Sequence, residues 1–263
     1  MATAWDPQQY LRFTDHRTRP AQDLIARIPL QAPGQIVDLG CGPGLSTRAL
    51  KARWPQAQVS GLDNDLAMLA SARVSDPAGD YSPADAGVWR PGPEVDLLFS
   101  NAVLHWLDNH AALFPALLRA LRPGAVLAVQ VPGNHAAPSH TLLQETAASR
   151  SRWQAALAPV LRPDPVADPA DYHRWLAPFA SGLDVWESTY IQVLTGEDPV
   201  LEWVRSTLLR VVQAVLLTLP DGAAEAAAFE AAYAARLRGA YPRQADGSTL
   251  FPFRRVFMVA VRC

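Results

Sequence analysis

Short apolar runs alternate with longer amphipathic segments from residue 34 onward. The runs at 35–39, 58–62, 95–100 and 125–131 predict β-strands, and the third is apolar at consecutive positions, as a strand covered on both faces requires. Segments with helical spacing lie between them, at 46–53, 65–73 and 109–121. Strands and helices that alternate in this way are typical of β-α-β units. The first half of the chain is therefore predicted to be an α/β fold with a largely parallel sheet.

The remaining segments predict an arm, a cap and two further strands. Two short helices at 7–13 and 20–28 belong to an arm over residues 1–33, ahead of a core at 34–132. Proline-rich residues 133–182, together with helices at 199–217 and 223–238 inside a segment 199–240, predict a helical cap over a substrate, with Gly239 closing the last helix. Strands are expected at 183–193 and 254–262. We expect one domain, 1–263, rather than independent ones.

Composition narrows the class of partner. The chain has 263 residues, 49% hydrophobic and 18% charged, which excludes wholesale disorder, and its net charge is −2. The positive field that attracts nucleic acid or acidic lipid is missing, so a small molecule is the expected partner, with no nucleic acid and no membrane. Two cysteines cannot form a disulfide framework, and the chain begins without the basic and apolar regions of a signal peptide. A cytoplasmic protein is predicted.

The segment from Asp38 to Gly44 carries the clearest chemical signal. It places glycines at 40, 42 and 44 between a strand and a helix, where glycine permits positive φ and close approach of a ligand. A dinucleotide motif counted from Gly40 requires glycine at 45, where this chain has Leu45, and Pro43 has no N–H for a pyrophosphate. The Asp38 carboxylate instead suits a cationic amino group. An amino-acid-bearing nucleoside is favoured, and an NAD-dependent oxidoreductase remains the alternative from another class.

Two acidic residues beyond the glycine turn could contact the nucleoside. Asp63 ends the second strand, where a carboxylate can accept hydrogen bonds from both ribose hydroxyls. Asp85 could meet an exocyclic adenine amine, with Leu62, Met68 and Ala86 as apolar walls for the ring.

These residues resemble the class I S-adenosylmethionine-dependent methyltransferases over about residues 34–132. Along nearly its whole length the chain is similar to the trans-aconitate 2-methyltransferase family, through Trp5-Asp6-Pro7, Arg17-Thr18-Arg19-Pro20, Asn101-Ala102-Val103-Leu104-His105-Trp106, Val131-Pro132-Gly133-Asn134 and Phe251-Pro252-Phe253. The resemblance implies a Rossmann-like, doubly wound, mostly parallel sheet of seven strands with a helical substrate cap. It also implies transfer of a methyl group from S-adenosyl-L-methionine to a carboxylate of a small polycarboxylic acid, leaving S-adenosyl-L-homocysteine.

The predicted site has two halves. The cofactor half comprises Arg19, Asp38, Gly40, Cys41, Gly42, Gly44, Asp63, Asn64, Met68, Asp85, Ala86 and Asn101. The substrate half comprises Tyr10, Arg17, His105, Trp106, Trp186, Tyr190, Arg210 and Arg255.

The predicted chemistry needs positioning rather than activation. A carboxylate is ionised at pH 7 and a sulfonium is already a good leaving group, so we predict no catalytic base and no metal. His105 and Trp106 would position the acceptor, and arginines would bind its other carboxylates through their planar forks. His105 and His110, and likewise His135 and His140, are five residues apart, a spacing that does not align metal ligands on one helical face.

Several departures from the family pattern leave the acceptor open. The family's Trp-Arg-Thr-Thr-Tyr-Tyr-His reads Trp186-Glu187-Ser188-Thr189-Tyr190-Ile191-Gln192 here, and its Gly-Leu-Arg-Pro reads Leu208-Leu209-Arg210-Val211. A different carboxylic acid is therefore an alternative, for example a malonyl group on an acyl carrier protein. A non-catalytic sensor of S-adenosyl ligands is a third hypothesis. We expect a monomer.

Overall fold

The computed structural model of the protein describes residues 14–161, 165–205 and 207–263, with side chains from residue 18 onward. The predicted helix at 7–13, the substrate residue Tyr10 and the Arg17 side chain lie outside this description. The chain divides into two compact units. Within the described residues the core unit contains 14–132, 165–188 and 255–263, and the second unit contains 133–161, 189–205 and 207–254.

A seven-stranded sheet organises the core unit. Its strands, in chain order, are β1 (Gln35–Leu39), β2 (Gln58–Asp63), β3 (Asp80–Pro83), β4 (Leu97–Asn101), β5 (Val126–Pro132), β6 (Ala180–Leu194) and β7 (Thr249–Arg262). The spatial order is β3-β2-β1-β4-β5-β7-β6. The first five strands in this order pair in parallel with their neighbours, and β7 runs antiparallel to β5. The order reverses between β1 and β4. The predicted doubly wound, mostly parallel sheet of seven strands is therefore confirmed.

Helices cover both faces of this sheet. In the core unit they are α1 (Thr14–Ala26), α2 (Leu45–Arg53), α3 (Leu66–Ser75), α4 (His110–Ala120) and α7 (Pro169–Leu176). One face packs against α4 and α7 through an apolar cluster that includes Leu98, Phe114 and Tyr172. Every residue from Leu97 to Phe99 is fully buried, which agrees with a strand covered on both sides.

The second unit is mainly helical. It contains α5 (Pro138–Ala148), α6 (Ser151–Leu157), α8 (Pro199–Arg205), α9 (Leu208–Leu216) and α10 (Gly222–Ala240), with parts of β6 and β7. Fully buried aromatic side chains, among them Trp153, Phe229 and Tyr233, form its interior. A helical cap was predicted over 133–182, yet α7 in that segment packs in the core unit.

Four differences from the sequence prediction have a physical explanation. Strand β3 was missed because only Tyr81 is buried in it, so no alternation marks it. Pro20 was predicted to start a helix but lies inside α1, Thr14–Ala26. It is buried, so packing offsets the hydrogen bond that proline cannot make. The helix predicted at 199–217 is two helices, α8 and α9.

The fourth difference concerns the end of α10. Gly239 lies inside this helix and does not close it. The helix ends instead at Ala240, followed by the buried ring of Tyr241, which packs edge-on against Phe251. Packing, rather than glycine flexibility, therefore sets the end. In the described part of the chain, no helix is long and apolar enough to span a bilayer.

Candidate functional site

A tight turn connects β1 to α2. Gly40, Gly42 and Gly44 all have positive φ, at 81°, 53° and 79°. The N–H groups of Gly40 and Cys41 donate to the carbonyl of Leu62 at 2.6 and 2.9 Å, and Gly44 N–H donates to Cys41 O at 3.0 Å. These bonds hold the turn against the end of β2.

The three glycines meet different surroundings. A Cβ at Gly40 would lie 2.1 Å from a methyl of Val103, and one at Gly44 would lie 2.7 Å from the Tyr81 hydroxyl oxygen. A Cβ at Gly42 would meet no atom within 4 Å. Gly40 and Gly44 are therefore required for packing, whereas the backbone of Gly42 faces open space that a ligand can occupy.

Asp38 is buried beneath this turn. Its Oδ2 accepts hydrogen bonds from the hydroxyls of Ser46 and Thr47, each at 2.7 Å, and its Oδ1 has no partner. Burial raises the pKa of the Asp38 carboxyl to about 6, and the two hydroxyls oppose this rise. A buried carboxylate oxygen without a donor is costly, so a cationic group placed there would stabilise the ionised form.

Asp63 joins the end of β2 to the turn. Its Oδ2 accepts the N–H of Gly42 at 2.8 Å, and its Oδ1 accepts the N–H of Asp65 at 2.9 Å. Burial raises the pKa of Asp63, while these backbone N–H groups lower it. Carboxylate oxygens have further lone pairs, so Asp63 can also accept from the hydroxyls of a bound nucleoside.

The other predicted cofactor residues differ in how deeply their side chains are buried. Met68 is buried and Ala86 is half-buried, as apolar walls would be, whereas Asn64 and Asp85 are exposed. Asp85 Oδ1 accepts the N–H of Gly87 at 2.8 Å, which shapes a turn. Arg19 is exposed on α1.

The end of β4 carries a strained residue. Ala102 has φ of 58°, the left-handed region that residues with a Cβ rarely adopt. It follows Asn101, whose Oδ1 is buried without a partner. The next turn, Leu104–Trp106, places the His105 and Trp106 rings 4.8 Å apart, with Trp106 exposed. The structure thus places both residues that were predicted to position the acceptor at the carboxyl end of β4.

Arg255 lies on β7 beside a residue that sequence reasoning did not assign. Its Nη1 donates to Oε1 of Gln130 at 3.1 Å, and both side chains are buried. Gln130 is a lone polar residue in the otherwise apolar run 125–131, and this interruption was the signal that could have identified it.

Three further predicted substrate residues lie on β6 and α9, namely Trp186, Tyr190 and Arg210. The Trp186 ring stacks on Phe257, with centroids 4.8 Å apart and an angle of 5° between the ring planes, and the Arg27 guanidinium lies 4.9 Å from the centroid of the Trp186 ring. These contacts give Trp186 neighbours within the core unit, and its substrate role stays a prediction. Tyr190, buried on β6, and Arg210, half-buried on α9, belong to the second unit. Among the described residues, no group of three or more His, Cys, Asp or Glu side chains could hold a metal ion.

The donor and acceptor groups at the turn fit a nucleoside with an amino-acid tail. Asp38 Oδ1 offers an unused acceptor to a cationic amine, Asp63 offers acceptors to hydroxyls, and open space adjoins Gly42. A pyrophosphate would instead place its negative charge near these two carboxylates.

Comparison with known proteins agrees with this chemistry. A family model described as a methyltransferase domain matches residues 13–185. Proteins named trans-aconitate 2-methyltransferase from Azoarcus sp. (strain BH72) and Streptomyces coelicolor are 49% and 51% identical to this chain; each match covers 98% of it, and 99% and 87% of the relatives.

Solved structures show the same fold. Phosphoethanolamine N-methyltransferase 2 of Haemonchus contortus, in complex with S-adenosyl-L-methionine, matches 93% of this chain with a TM-score of 0.53, although the match covers 53% of that protein. The YcgJ protein of Bacillus subtilis gives a TM-score of 0.56, with 93% and 98% of the two chains covered. At 17% and 10% identity these matches concern the fold alone.

Proposed function

This chain belongs to the methyltransferase family and, within it, to the trans-aconitate 2-methyltransferases, and from that membership we propose that it esterifies a carboxylate of trans-aconitate with the methyl group of S-adenosylmethionine. The observation that carries the proposal is the pair of carboxylates at the glycine turn, of which Asp38 is buried and Asp63 half-buried. Asp38 has an oxygen without a donor, and Asp63 accepts the Gly42 N–H from the adjacent strand.

Residues of the core unit would hold the cofactor. Asp38 is proposed to meet the methionine amino group, Asp63 the ribose hydroxyls, and Met68 the adenine ring. Gly42 allows the cofactor to lie against the backbone. When bound, the cofactor supplies an electrophilic methyl group on a positively charged sulfur.

The chain's own contribution to the chemistry is orientation and the exclusion of water. An ionised acceptor carboxylate needs no base, so His105 is proposed to wall the acceptor site and donate a hydrogen bond, with Trp106 beside it. Alignment of two reactants at about 3–3.5 Å can lower the barrier by several kcal/mol. Arg255 would bind a carboxylate that does not react.

The finer assignments extend this proposal. Tyr10, Arg17, Tyr190 and Arg210 remain predicted acceptor residues, and Arg19 a predicted cofactor residue. We also propose a cytoplasmic monomer that acts on the free acid. Two cysteines that form no disulfide, Cys41 and Cys263, are compatible with a reducing compartment.

A product assay tests the function. The enzyme is incubated with methyl-labelled S-adenosylmethionine and a panel containing trans-aconitate, other di- and tricarboxylates, and a malonyl acyl carrier protein. We expect a methyl ester of trans-aconitate, identified by mass spectrometry and by its lability to alkali. Exclusive labelling of another acceptor would replace the proposed substrate, and calorimetry showing no binding of S-adenosylmethionine would reject the function.

A further inference from the structure

Gln130 is a buried polar residue that none of the roles above uses. It lies near the carboxyl end of β5, opposite Asn101 on β4 and Phe257 on β7. Its backbone carbonyl accepts the N–H of the strained Ala102 at 2.9 Å. Its side chain has no exposed surface, although it interrupts a strand of apolar residues. Such a placement costs free energy unless the amide is fully hydrogen-bonded.

Only half of the Gln130 amide is satisfied. Oε1 accepts from Arg255 Nη1 at 3.1 Å, which fixes the orientation of the amide, because the reverse orientation would set its NH₂ group against a guanidinium donor. Nε2 is consequently left without an acceptor. The group without a partner is therefore the Nε2 donor of Gln130, and the Arg255 guanidinium holds the amide in this orientation.

The strand order indicates which ligand this donor faces. The glycine turn follows β1, and Asp63 and Asp85 follow β2 and β3, so the predicted nucleoside contacts extend from β1 toward one edge of the sheet. The predicted cofactor residue Asn101 ends β4, between the glycine turn and Gln130. Gln130 and Arg255 lie on the opposite side of β1, on β5 and β7. With neighbouring strands about 4.8 Å apart, β5 is about 10 Å from β1. This position suits the methyl acceptor rather than the nucleoside.

We propose that Gln130 Nε2 and the Arg255 guanidinium together bind a non-reacting carboxylate of the acceptor. This inference rests on the proposed function. The guanidinium supplies charge, and the amide supplies a neutral donor while its oxygen holds the arginine in place. A carboxylate accepts about four hydrogen bonds, so it can take donors from both side chains at once. Gln130 is thus a specificity-determining residue for polycarboxylic acids.

Two substitutions separate this role from a packing role. Gln130→Met keeps the side-chain volume nearly constant and removes both polar atoms. Gln130→Glu keeps the oxygen that accepts from Arg255 but replaces the donor with a charge that repels a carboxylate. Gln35→Met is the matched control, because Gln35 is a glutamine at the amino end of β1 whose amide donates to Gln58.

The test measures binding and turnover with four acids. Trans-aconitate is compared with trans-glutaconate, mesaconate and itaconate, each of which lacks a different one of its three carboxylates. Affinities are measured by calorimetry on the full-length enzyme loaded with S-adenosylhomocysteine, and KM is measured with S-adenosylmethionine. We expect Gln130→Met to lower the affinity for trans-aconitate about tenfold, and Gln130→Glu to lower it about a hundredfold. One of the three dicarboxylates should be bound equally by the wild type and both variants, since it lacks the carboxylate in question.

The outcomes are distinct. Equal losses for all four acids, or no loss for any, would overturn the role of Gln130 while leaving the proposed function intact. Equal weakening of S-adenosylhomocysteine would show that Gln130 serves the cofactor or the fold. A wild-type enzyme that neither binds nor esterifies trans-aconitate would overturn the proposed function and this inference together.

Discussion

A hydrogen bond of 2.8 Å from the Gly42 N–H to Asp63 Oδ2 joins two residues that are 21 positions apart. The carboxylate at the end of β2 therefore holds the glycine turn that follows β1. A single side chain thus organises the backbone of the turn and remains able to accept hydrogen bonds from ribose hydroxyls.

Replacement of Asp63 tests this double role. Asp63→Ala should lower the affinity for S-adenosylmethionine at least about tenfold, since it removes hydrogen bonds worth roughly 1.5–3 kcal/mol. Isothermal titration calorimetry provides the measurement. The control is Asp80→Ala, which removes an exposed carboxylate on β3 that accepts a hydrogen bond from the Ser60 hydroxyl at 2.6 Å, and this variant should bind S-adenosylmethionine normally. An unchanged affinity in Asp63→Ala would refute the ribose assignment.

Gly42 and Gly124 allow a matched comparison that separates a loss of stability from a loss of ligand affinity. Both have positive φ, at 53° and 82°, and a Cβ at either would meet open space. Alanine at each should therefore lower the free energy of unfolding similarly, by about 1–2 kcal/mol. Only Gly42→Ala should also reduce S-adenosylmethionine affinity, by about tenfold or more, because its methyl group would occupy the ligand's space. Equal affinities in the two variants would place the cofactor elsewhere.

Asp38 should make the stability of the ligand-free protein depend on pH. Burial raises the pKa of this carboxyl from 3.8 to about 6, so between these values the folded state binds more protons than the unfolded state. Asp38 therefore contributes a free energy of unfolding that decreases as the pH rises through this window, by roughly 3 kcal/mol in total. The difference between wild type and Asp38→Asn, from urea unfolding at pH 4 to 7.5, should show this slope. Parallel curves would contradict it.

The same ionisation should govern cofactor binding in the opposite direction. Because a cationic amino group favours ionised Asp38, affinity for S-adenosylmethionine should fall as the pH is lowered through about 6. Asp38→Asn should bind weakly at every pH, and it should remove this contribution to the pH dependence. Calorimetry at pH 5.5 and 7.5 measures both effects. A wild-type affinity that does not change with pH would argue against a contact with the amine.

We expect His105 to position the acceptor rather than to remove a proton from it. If the acceptor is already ionised, His105→Asn should lower kcat by less than about a hundredfold, the lower end of what removal of a general base costs. The kcat of the wild type should show no histidine titration between about pH 6.5 and 9. A larger loss, or a bell-shaped profile in that range, would establish proton transfer by His105.

Trp186 should stabilise the fold rather than select the acceptor. It stacks on Phe257, with Arg27 near its ring and Asp184 paired with that arginine at 2.9 Å. Trp186→Leu should lower the free energy of unfolding by about 1–3 kcal/mol, because it removes a partly buried aromatic stack. The KM for trans-aconitate should change less than about threefold, well below 1 kcal/mol of binding free energy. A large increase in KM with unchanged stability would instead support the substrate role predicted from the sequence.

The local features of this protein were readable from the chain alone. Glycine spacing reports where positive φ is needed, and apolar periodicity reports which segments are strands or helices, because both depend on neighbours a few residues away. The glycine turn and the strand endings at Leu39 and Asp63 therefore followed from the sequence. Strand β3, whose pattern contains a single buried residue, and the end of α10, which packing decides, did not.

Only the tertiary structure decided which distant residues meet. Gln130 and Arg255 are 125 residues apart, and their contact depends on β7 entering the sheet beside β5 and antiparallel to it. No local pattern encodes that neighbour relationship, since strand order arises from the packing of the whole sheet. Burial likewise turned Asp38 from one acidic residue among 25 Asp and Glu into a carboxyl with a raised pKa, because the low polarity around it penalises the charged form.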